Sequence, residues 1–179
     1  VEEVTRFVRE MVALGVDSVK FVMTGESAIR PGTSRALQFY DEELAAGARV
    51  AHDAGVWLNG HCHSAESIKL ALKHEVDILY HCEYADEESL DLLEAARDRI
   101  FVAPAIGLLH NLLYEAEPWG ITYEKARAAG VLAQFECAQK VFAQLHKRRI
   151  RILVGGDYGF PWTPHGTNAR DIVHFVRLF

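Results

Sequence analysis

The strict alternation of two kinds of segment is the feature that most limits what this chain can fold into. Helical spacing of apolar residues at 2–14 precedes the strand-like stretch VDSVKFVMTG (16–25), and this order repeats to the end of the sequence. Four more strands are predicted, at VWLNGH (56–61), DILYH (77–81), IFVAP (100–104) and RILVGGD (151–157). Further helices are predicted at 41–54 with Asp41 as N-cap, at 64–75 with Ser64 as N-cap, and at 86–97, 122–148 and 167–179. Strands separated by helices predict parallel pairing through right-handed crossovers.

The connections between these segments are unequal in length. Those from a helix to the next strand take one to three residues, whereas three from a strand to the next helix are long, at 24–40, 105–121 and 158–166. The carboxyl ends of the strands therefore carry the elaborate loops, as on the active face of a (β/α)8 barrel. An open doubly wound sheet would also bind ligands there, but the chain has no G-x-G-x-x-G motif and no glycine-rich phosphate turn. We expect an α/β fold that is part of a TIM barrel.

Composition excludes two classes of partner. The 19 basic and 25 acidic residues are interleaved, and the net charge is −6, so no basic stripe exists to bind nucleic acid. No apolar run approaches the length of a transmembrane helix, so a membrane is not an expected partner either. The cysteines Cys62, Cys82 and Cys137 lack paired spacing and are interpreted as small apolar packing residues. They favour a reducing compartment, and we expect the cytoplasm.

Ionisable side chains stand at four of the five predicted strands. Lys20 lies within the first, and His61, His81 and Asp157 end the second, third and fifth. Because side chains alternate along a strand, His61 and His63 should face one way, while the two cysteines beside the histidines face the other. Imidazoles and a carboxylate are the ligands that suit zinc or a similar divalent ion. More ordinary roles remain open: core histidines that are hydrogen-bonded, Asp157 as a loop cap, and Lys20 paired with Glu26.

Lys20 is the residue that fits least well in an apolar strand. An unpaired ammonium is costly in a buried position. A buried amine with a depressed pKa is nucleophilic and can add carbon dioxide, which gives an anionic carbamate with two oxygens that can bridge two cations. We therefore predict that Lys20 is carboxylated and binds metal.

Three segments, GVDSVKFVMTG, NGHCHSAESIKLALKHEVDILYHC and GGDYGFPWTPHGTNARDI, together resemble the metal-dependent amidohydrolase superfamily, a (β/α)8-barrel family. The resemblance is to the branch of imidazolonepropionase-like and Xaa-Pro dipeptidase-like enzymes. It implies a binuclear centre, with two zinc ions per full-length subunit and carboxylated Lys20 as the bridge. His61 and His81 would bind one metal, and Asp157 would bind the other and act as general base and acid. His63 and His165 match positions that line the substrate site.

The resemblance also implies a register in the barrel. The five predicted strands match barrel strands 4 to 8, because the H-x-H pair at His61 and His63 matches strand 5 and not strand 1. We expect residues 1–179 to be the C-terminal portion of one metal-dependent hydrolase barrel domain, without strands 1–3 and the flanking β-domain. Such a chain would expose two sheet edges, be inactive alone and tend to associate, and a homo-oligomer is left open. Tyr80 and Cys82 depart from the branch, which more often has Glu and Gly around His81.

The expected activity is hydrolysis of an amide-type C–N bond in a small molecule, with dipeptides and N-acyl amino acids as the substrate class. In this expectation a metal-bound hydroxide attacks a carbonyl that the metals polarise, and Asp157 moves the proton. Hydrolysis of a lactone, carbamate or phosphotriester at the same site is an alternative. A non-catalytic barrel fragment that keeps a metal-ready scaffold is another.

Overall fold

The protein is an α/β structure built on one parallel sheet. A computed structural model describes residues 1–27, 30, 32–155 and 157–179. The strands follow chain order across the sheet and are β1 (Ser18–Val22), β2 (Trp57–Ser64), β3 (Ile78–Tyr84) and β4 (Phe101–Ala103). The helices are α1 (Glu2–Ala13), α2 (Asp41–Asp53), α3 (Ala65–Lys73), α4 (Glu87–Ala95), α5 (Ile106–Tyr114), α6 (Tyr123–Ala128), α7 (Val131–Lys147) and α8 (Arg170–Leu178). The predicted α/β class and parallel pairing are confirmed.

The core lies between one face of the sheet and the helices. Along β1 the side chains alternate between buried and exposed, and Val19 and Phe21 point into the core. Each apolar side chain that is fully buried contributes about 1.5–3 kcal/mol of transfer free energy. The largest such side chains include Leu58, Ile68, Leu79, Leu93, Ile100 and Phe142. The opposite face of the sheet carries the polar residues of the site.

Lys20 is exposed, so its predicted burial is wrong. It lies on the face of β1 opposite Val19 and Phe21, and its Nζ is 4.1 Å from the centre of the Tyr80 ring. β1 is an edge strand in the described part of the chain, and Lys20 is exposed on this face of it. The apolar neighbours of Lys20 in sequence therefore indicate burial of only one side of the strand, and Lys20 makes a cation–π contact on the other.

The fifth predicted strand, at 151–157, is reduced to a single parallel bridge. The Val102 N–H donates to the Arg151 carbonyl at 2.9 Å, and the Leu153 N–H donates to the Val102 carbonyl at 2.8 Å. Gly155 has a φ of 95°, which is not extended backbone, so pairing cannot continue. The segment still continues the parallel order of the sheet beside β4. Gly156, which we expected to allow close backbone approach, lies outside the described residues.

Three helix predictions also need correction. The helix predicted at 122–148 is two helices, α6 and α7. Gly130, which lies between them, has a φ of 88°, and this left-handed backbone interrupts the helix. The long connection at 105–121 contains α5 and a short 3-10 helix. Asp41 is not the N-cap of α2 but its first residue, and the Glu43 side chain instead accepts from the N–H of the capping residue Tyr40. Ser64 is the N-cap of α3, as predicted, and accepts from the Ser67 N–H.

The cysteines behave as packing residues where they flank the histidines. Cys62 and Cys82 are buried, Cys137 is half-buried, and all three are free thiols. The Cys62 Sγ lies 3.5 Å from the Met23 Sδ, and burial raises the pKa of the Cys62 thiol. Among the described residues, none of the helices combines the length and apolar character needed to cross a bilayer.

Candidate metal centre

Strands β2 and β3 bring three imidazoles together at their carboxyl ends. The His81 Nε2 lies 3.0 Å from the His61 Nδ1, and the centres of the His63 and His81 rings are 4.3 Å apart. One ligating nitrogen from each of His61, His63 and His81 lies within 4.8 Å of the other two. In the described part of the chain, this is the group of side chains whose spacing suits a metal ion.

The position of His81 depends on an irregular backbone in β3. Tyr80 pairs with His61 in the sheet, so regular alternation would turn the next side chain, that of His81, to the opposite face. Instead, φ is 73° at His81 and 65° at Cys82, and the His81 ring lies beside the ring of His61. Left-handed backbone at a residue other than glycine costs of order 1–3 kcal/mol and persists where the surroundings enforce it. Strained backbone of this kind is common at functional sites, so it supports a functional role for His81.

His63 is held between two carboxylates. Its Nδ1 lies 2.6 Å from the Glu83 Oε1, and its Nε2 lies 3.3 Å from the Glu26 Oε2. Glu83 is also buried and accepts a hydrogen bond from the Gln134 side chain. Burial lowers the pKa of His63, but the hydrogen bonds with Glu26 and Glu83 outweigh burial and raise the pKa to about 9. His63 therefore carries a proton on both ring nitrogens at neutral pH.

The other two histidines are neutral. Burial, followed by the charges of His63 and Lys20, lowers the pKa of His61 to about 4. Burial and the neighbouring histidines hold the pKa of His81 well below its usual value. Neutral imidazole is the form that binds a metal ion.

Asp157 reaches the same centre from the loop that follows the bridge. Its Oδ2 lies 3.6 Å from the His81 Nε2, and burial raises the pKa of its carboxyl group. The loop is tied to α8 through Asp171, which is fully buried. The Asp171 Oδ2 accepts from the Gly155 N–H at 3.1 Å, and its Oδ1 accepts from the Tyr158 hydroxyl at 2.9 Å. Gly155 and Tyr158, which lie on either side of Asp157 in the sequence, are thus both hydrogen-bonded to α8.

The structure gathers most, but not all, of the predicted site residues. His61, His63, His81 and Asp157 lie together, and Lys20 is near enough for its charge to lower the pKa of both His61 and Asp157. His165 is exposed, and its ring lies against Gly159.

Sequence reasoning missed Glu83 and Gln134, and it treated Glu26 only as a partner for Lys20. Glu83 follows His81 by two residues, and this spacing was the available signal for a side chain on the same face. Nothing in the sequence pairs Gln134 with this glutamate, because it lies on α7, 51 residues away.

The side chains present fit a divalent metal. The His61 Nε2 is buried, and no hydrogen-bond partner for it is found among the described residues. Leaving a buried polar atom unpaired costs about 1–3 kcal/mol, and coordination would remove this cost. Two neutral imidazoles with a neighbouring carboxylate are a donor set that zinc and similar ions accept.

A cavity of about 670 Å³ opens beside this centre. The side chains of Glu26, His61 and Asp157 are part of its lining. We call it the apolar cavity because α5, α6, the segment before α6, the start of α7 and the loop after Asp157 contribute apolar side chains, which include Leu108, Leu112, Ile121, Ala126, Val131 and Trp162. Ligand pockets in proteins commonly have this size and composition.

No protein-family model and no curated protein sequence matches the chain. Solved structures do match it along nearly its whole length. A Xaa-Pro dipeptidase with methionine bound in its active site is 26% identical over 98% of this chain, with a TM-score of 0.78. The ochratoxinase of A. niger is 25% identical over 99% of the chain, with a TM-score of 0.83. A putative prolidase from Bifidobacterium longum, 23% identical over 99% with a TM-score of 0.80, shows the same fold.

These comparisons define the class of protein. The chain has the fold of the amidohydrolase superfamily, and the predicted resemblance to its Xaa-Pro dipeptidase-like branch is confirmed. The chain spans 42% of the length of the Xaa-Pro dipeptidase and 38% of the length of the ochratoxinase.

Proposed function

We propose that this chain carries the metal centre of a hydrolase that cleaves an amide-type C–N bond in dipeptides or N-acyl amino acids. The observation that carries the proposal is the cluster of His61, His63 and His81 with Asp157, at the carboxyl ends of parallel strands. The similar structures support the reaction class, since they include a Xaa-Pro dipeptidase and an ochratoxinase.

His61 and His81 are the proposed ligands of one divalent ion, with zinc as the expected metal. Both rings are neutral imidazoles, and the buried His61 Nε2, which has no hydrogen-bond partner among the described residues, favours this role. Asp157 and carboxylated Lys20 are the proposed ligands of a second ion in the full-length subunit. When bound, the metal would polarise the scissile carbonyl and lower the pKa of a water molecule.

The remaining residues would position the substrate and move protons. Asp157 would accept the proton of the attacking water and deliver it to the leaving nitrogen. His63 is buried and both of its ring nitrogens contact carboxylates, so its proposed part in orienting the substrate acts through Glu26, which lines the cavity. His165, on the loop after Asp157, is proposed as a second substrate contact that would require this loop to close.

Metal analysis combined with hydrolysis of a dipeptide library tests this proposal on the full-length protein. We expect bound zinc, loss of hydrolysis after chelation, and recovery when zinc is added back. His81→Asn should lose both metal and activity, whereas His52→Asn, an exposed histidine on α2, should keep both. Hydrolysis that persists in metal-free protein would contradict the metal role. A protein with neither metal nor hydrolysis would favour a non-catalytic scaffold.

A further inference from the structure

We infer that the substrate carries a bulky apolar group, preferably aromatic, and that this group binds in the apolar cavity. This inference rests on the proposed function, because it concerns the same site. Its starting point is continuity: His61 and Asp157 line the same cavity as aliphatic side chains of α5, α6 and α7. A substrate whose amide reaches the metal centre therefore has its neighbouring group inside an apolar enclosure.

The volume of the cavity suits a large group. A cavity of about 150 Å³ already binds benzene in another protein. The 670 Å³ found here has room for a ring and for the amide unit that joins it to the metal centre. A methyl-sized group would leave most of the apolar lining in contact with water, and little transfer free energy would be gained.

The lining favours a flat and uncharged group. Phe160 and Trp162, which both line the cavity, form a stacked pair with ring centres 5.3 Å apart and planes inclined by 9°. An outer ring face of such a pair is suited to offset stacking with a further aromatic ring. Lys125 is the charged side chain on the α6 wall, and its Nζ donates to the Gly120 carbonyl at 2.8 Å. A charged substrate side chain in this enclosure would lose its water, and the charged groups of the lining, Glu26, Asp157 and Lys125, already contact His63, His81 and the Gly120 carbonyl.

The alanines of α6 determine how much space is left. Ala126 and Ala129 line the cavity, and no larger side chain stands at either position. Ala129 lines the cavity, is exposed and is the C-cap of α6, so we expect a larger residue there to narrow the cavity with little effect on the buried core. Ala128, the preceding residue, is exposed and is not part of the lining. Substitutions at Ala129 and at Ala128 therefore offer a matched test and control.

The test compares Ala-Ala with Phe-Ala and Ala-Phe as substrates of the full-length, zinc-loaded protein. Having a phenyl group on either side of the bond covers both orientations. We expect the better phenyl dipeptide to exceed Ala-Ala in kcat/KM by roughly 10- to 100-fold, the gain from burying one such side chain. Ala129→Phe should reduce this ratio to near one, and Ala128→Phe should leave it unchanged. Equal kcat/KM values, or a preference that Ala129→Phe does not alter, would overturn the inference.

A binding measurement separates this inference from the proposed function. Calorimetry with N-acetylphenylalanine and N-acetylalanine requires no turnover. We expect tighter binding of the phenyl compound, and expect that Ala129→Phe but not Ala128→Phe removes the difference. If no dipeptide is hydrolysed but the binding difference is found, the proposed reaction fails and the apolar site stands. If dipeptides are hydrolysed and the two compounds bind alike, the reverse holds.

Discussion

The three clustered histidines differ in what their ring nitrogens contact. Both nitrogens of His63 meet carboxylates, whereas His61 and His81 meet each other, and no hydrogen-bond partner of the His61 Nε2 is found among the described residues. Similar rings in one cluster therefore have unequal chemistry: the carboxylates raise the pKa of His63, whereas burial lowers the pKa of His61 and of His81. The difference comes from Glu83, whose Oε1 lies 2.6 Å from the His63 Nδ1, and from Glu26, whose Oε2 lies 3.3 Å from the His63 Nε2 but 4.0 Å from the His61 Nε2.

At Asp157 we predict a large effect on chemistry and a small one on folding. Asp157→Asn in the full-length protein should lower kcat by roughly 10²- to 10⁴-fold, because the amide cannot accept the proton. The melting temperature should change little. Asp98→Asn makes the same chemical change at an exposed position and should alter neither quantity. An unchanged kcat with a much lower melting temperature would instead identify Asp157 as a loop cap.

Lys20 provides a second test at this scale. If it binds metal as a carbamate, Lys20→Ala should lower the metal content and the activity of the full-length protein, and short carboxylic acids should restore part of both. Lys140→Ala, at an exposed position on α7, is the control and should have no effect. Full metal content and turnover in Lys20→Ala would show that the cation–π contact with Tyr80 is the role of this residue.

The sequence was informative about which residues meet, and less so about how they are held. His61, His81 and Asp157 could be placed together because each follows a strand of the same parallel sheet. The approach of His81 could not be predicted, since it depends on left-handed backbone at two residues that are not glycines. The exposure of Lys20 was also hidden, because apolar neighbours show that a strand has a buried face but not that both faces are covered.

At the scale of elements, the N-terminus of α4 shows how one side chain begins a helix. The Asp86 Oδ1 accepts from the Ser89 N–H at 2.8 Å, and Asp86 also binds the ammonium group of Lys69. The hydrogen bond from Ser89, followed by the one from Lys69, lowers the pKa of Asp86 to about 2. The carboxylate is therefore favoured in the folded state more than in the unfolded state.

Substitution at Asp86 should have a stability cost that depends on pH. Asp86→Ala should lower the free energy of unfolding by about 1 kcal/mol at pH 7, which is typical of a lost N-cap. The charge-dependent part is present above pH 4 and is lost as the pH falls towards 2, where the folded carboxyl becomes protonated. Asp86→Asn keeps a capping oxygen and should cost less. Denaturant unfolding at several pH values measures this, and an equal cost for Asp86→Ala at every pH would contradict it.

Helix and strand bounds followed the sequence where local chemistry decides them. Ser64 caps α3 as predicted because its hydroxyl reaches the Ser67 N–H without help from distant residues. The break at Gly130 was missed, although a glycine inside a helical pattern marks a common place for a helix to end. The bridge at Ile152 was overestimated as a strand, since extended pairing depends on neighbours that the apolar pattern does not reveal.

For the molecule as a whole, a metal ion at this centre would link two adjacent strands. His61 lies on β2 and His81 on β3, so coordination adds a connection across the sheet. An ion that binds only the folded state at 100 times its Kd adds about 2.7 kcal/mol to stability. Zinc should therefore raise the melting temperature of the full-length protein, and a chelator should reverse the rise.

His81→Asn is expected to abolish that shift, whereas the surface variant His52→Asn should retain it. For residues 1–179 alone, titration should give at most one tightly bound ion per chain, because only one histidine cluster is found in the described residues. Two tightly bound ions in this chain would show that the ligand assignment is incomplete.

Helix α5 contacts both the apolar cavity and the residues that hold the loop of Asp157. Leu108 and Leu112 form a wall of the apolar cavity, while the backbone of Gly107 hydrogen-bonds Asp171, and the Asn111 Nδ2 donates to the Trp162 carbonyl at 2.8 Å. A Cβ atom at Gly107 would lie 2.4 Å from the Asp171 Oδ1, so α5 packs closely against the start of α8 at this point.

Mutational effects should therefore combine differently on the two helices that enclose the cavity. Substitutions at Ala126 or Ala129 should couple to those at Asp157 only through the cavity they share, because no described contact joins α6 to the loop of Asp157. Substitutions on α5 should not add, since the same helix that sets the width of the cavity also supports the loop of Asp157. Evolution or design could thus retune substrate size through α6 one residue at a time, whereas a change on α5 would require a compensating change in the loop.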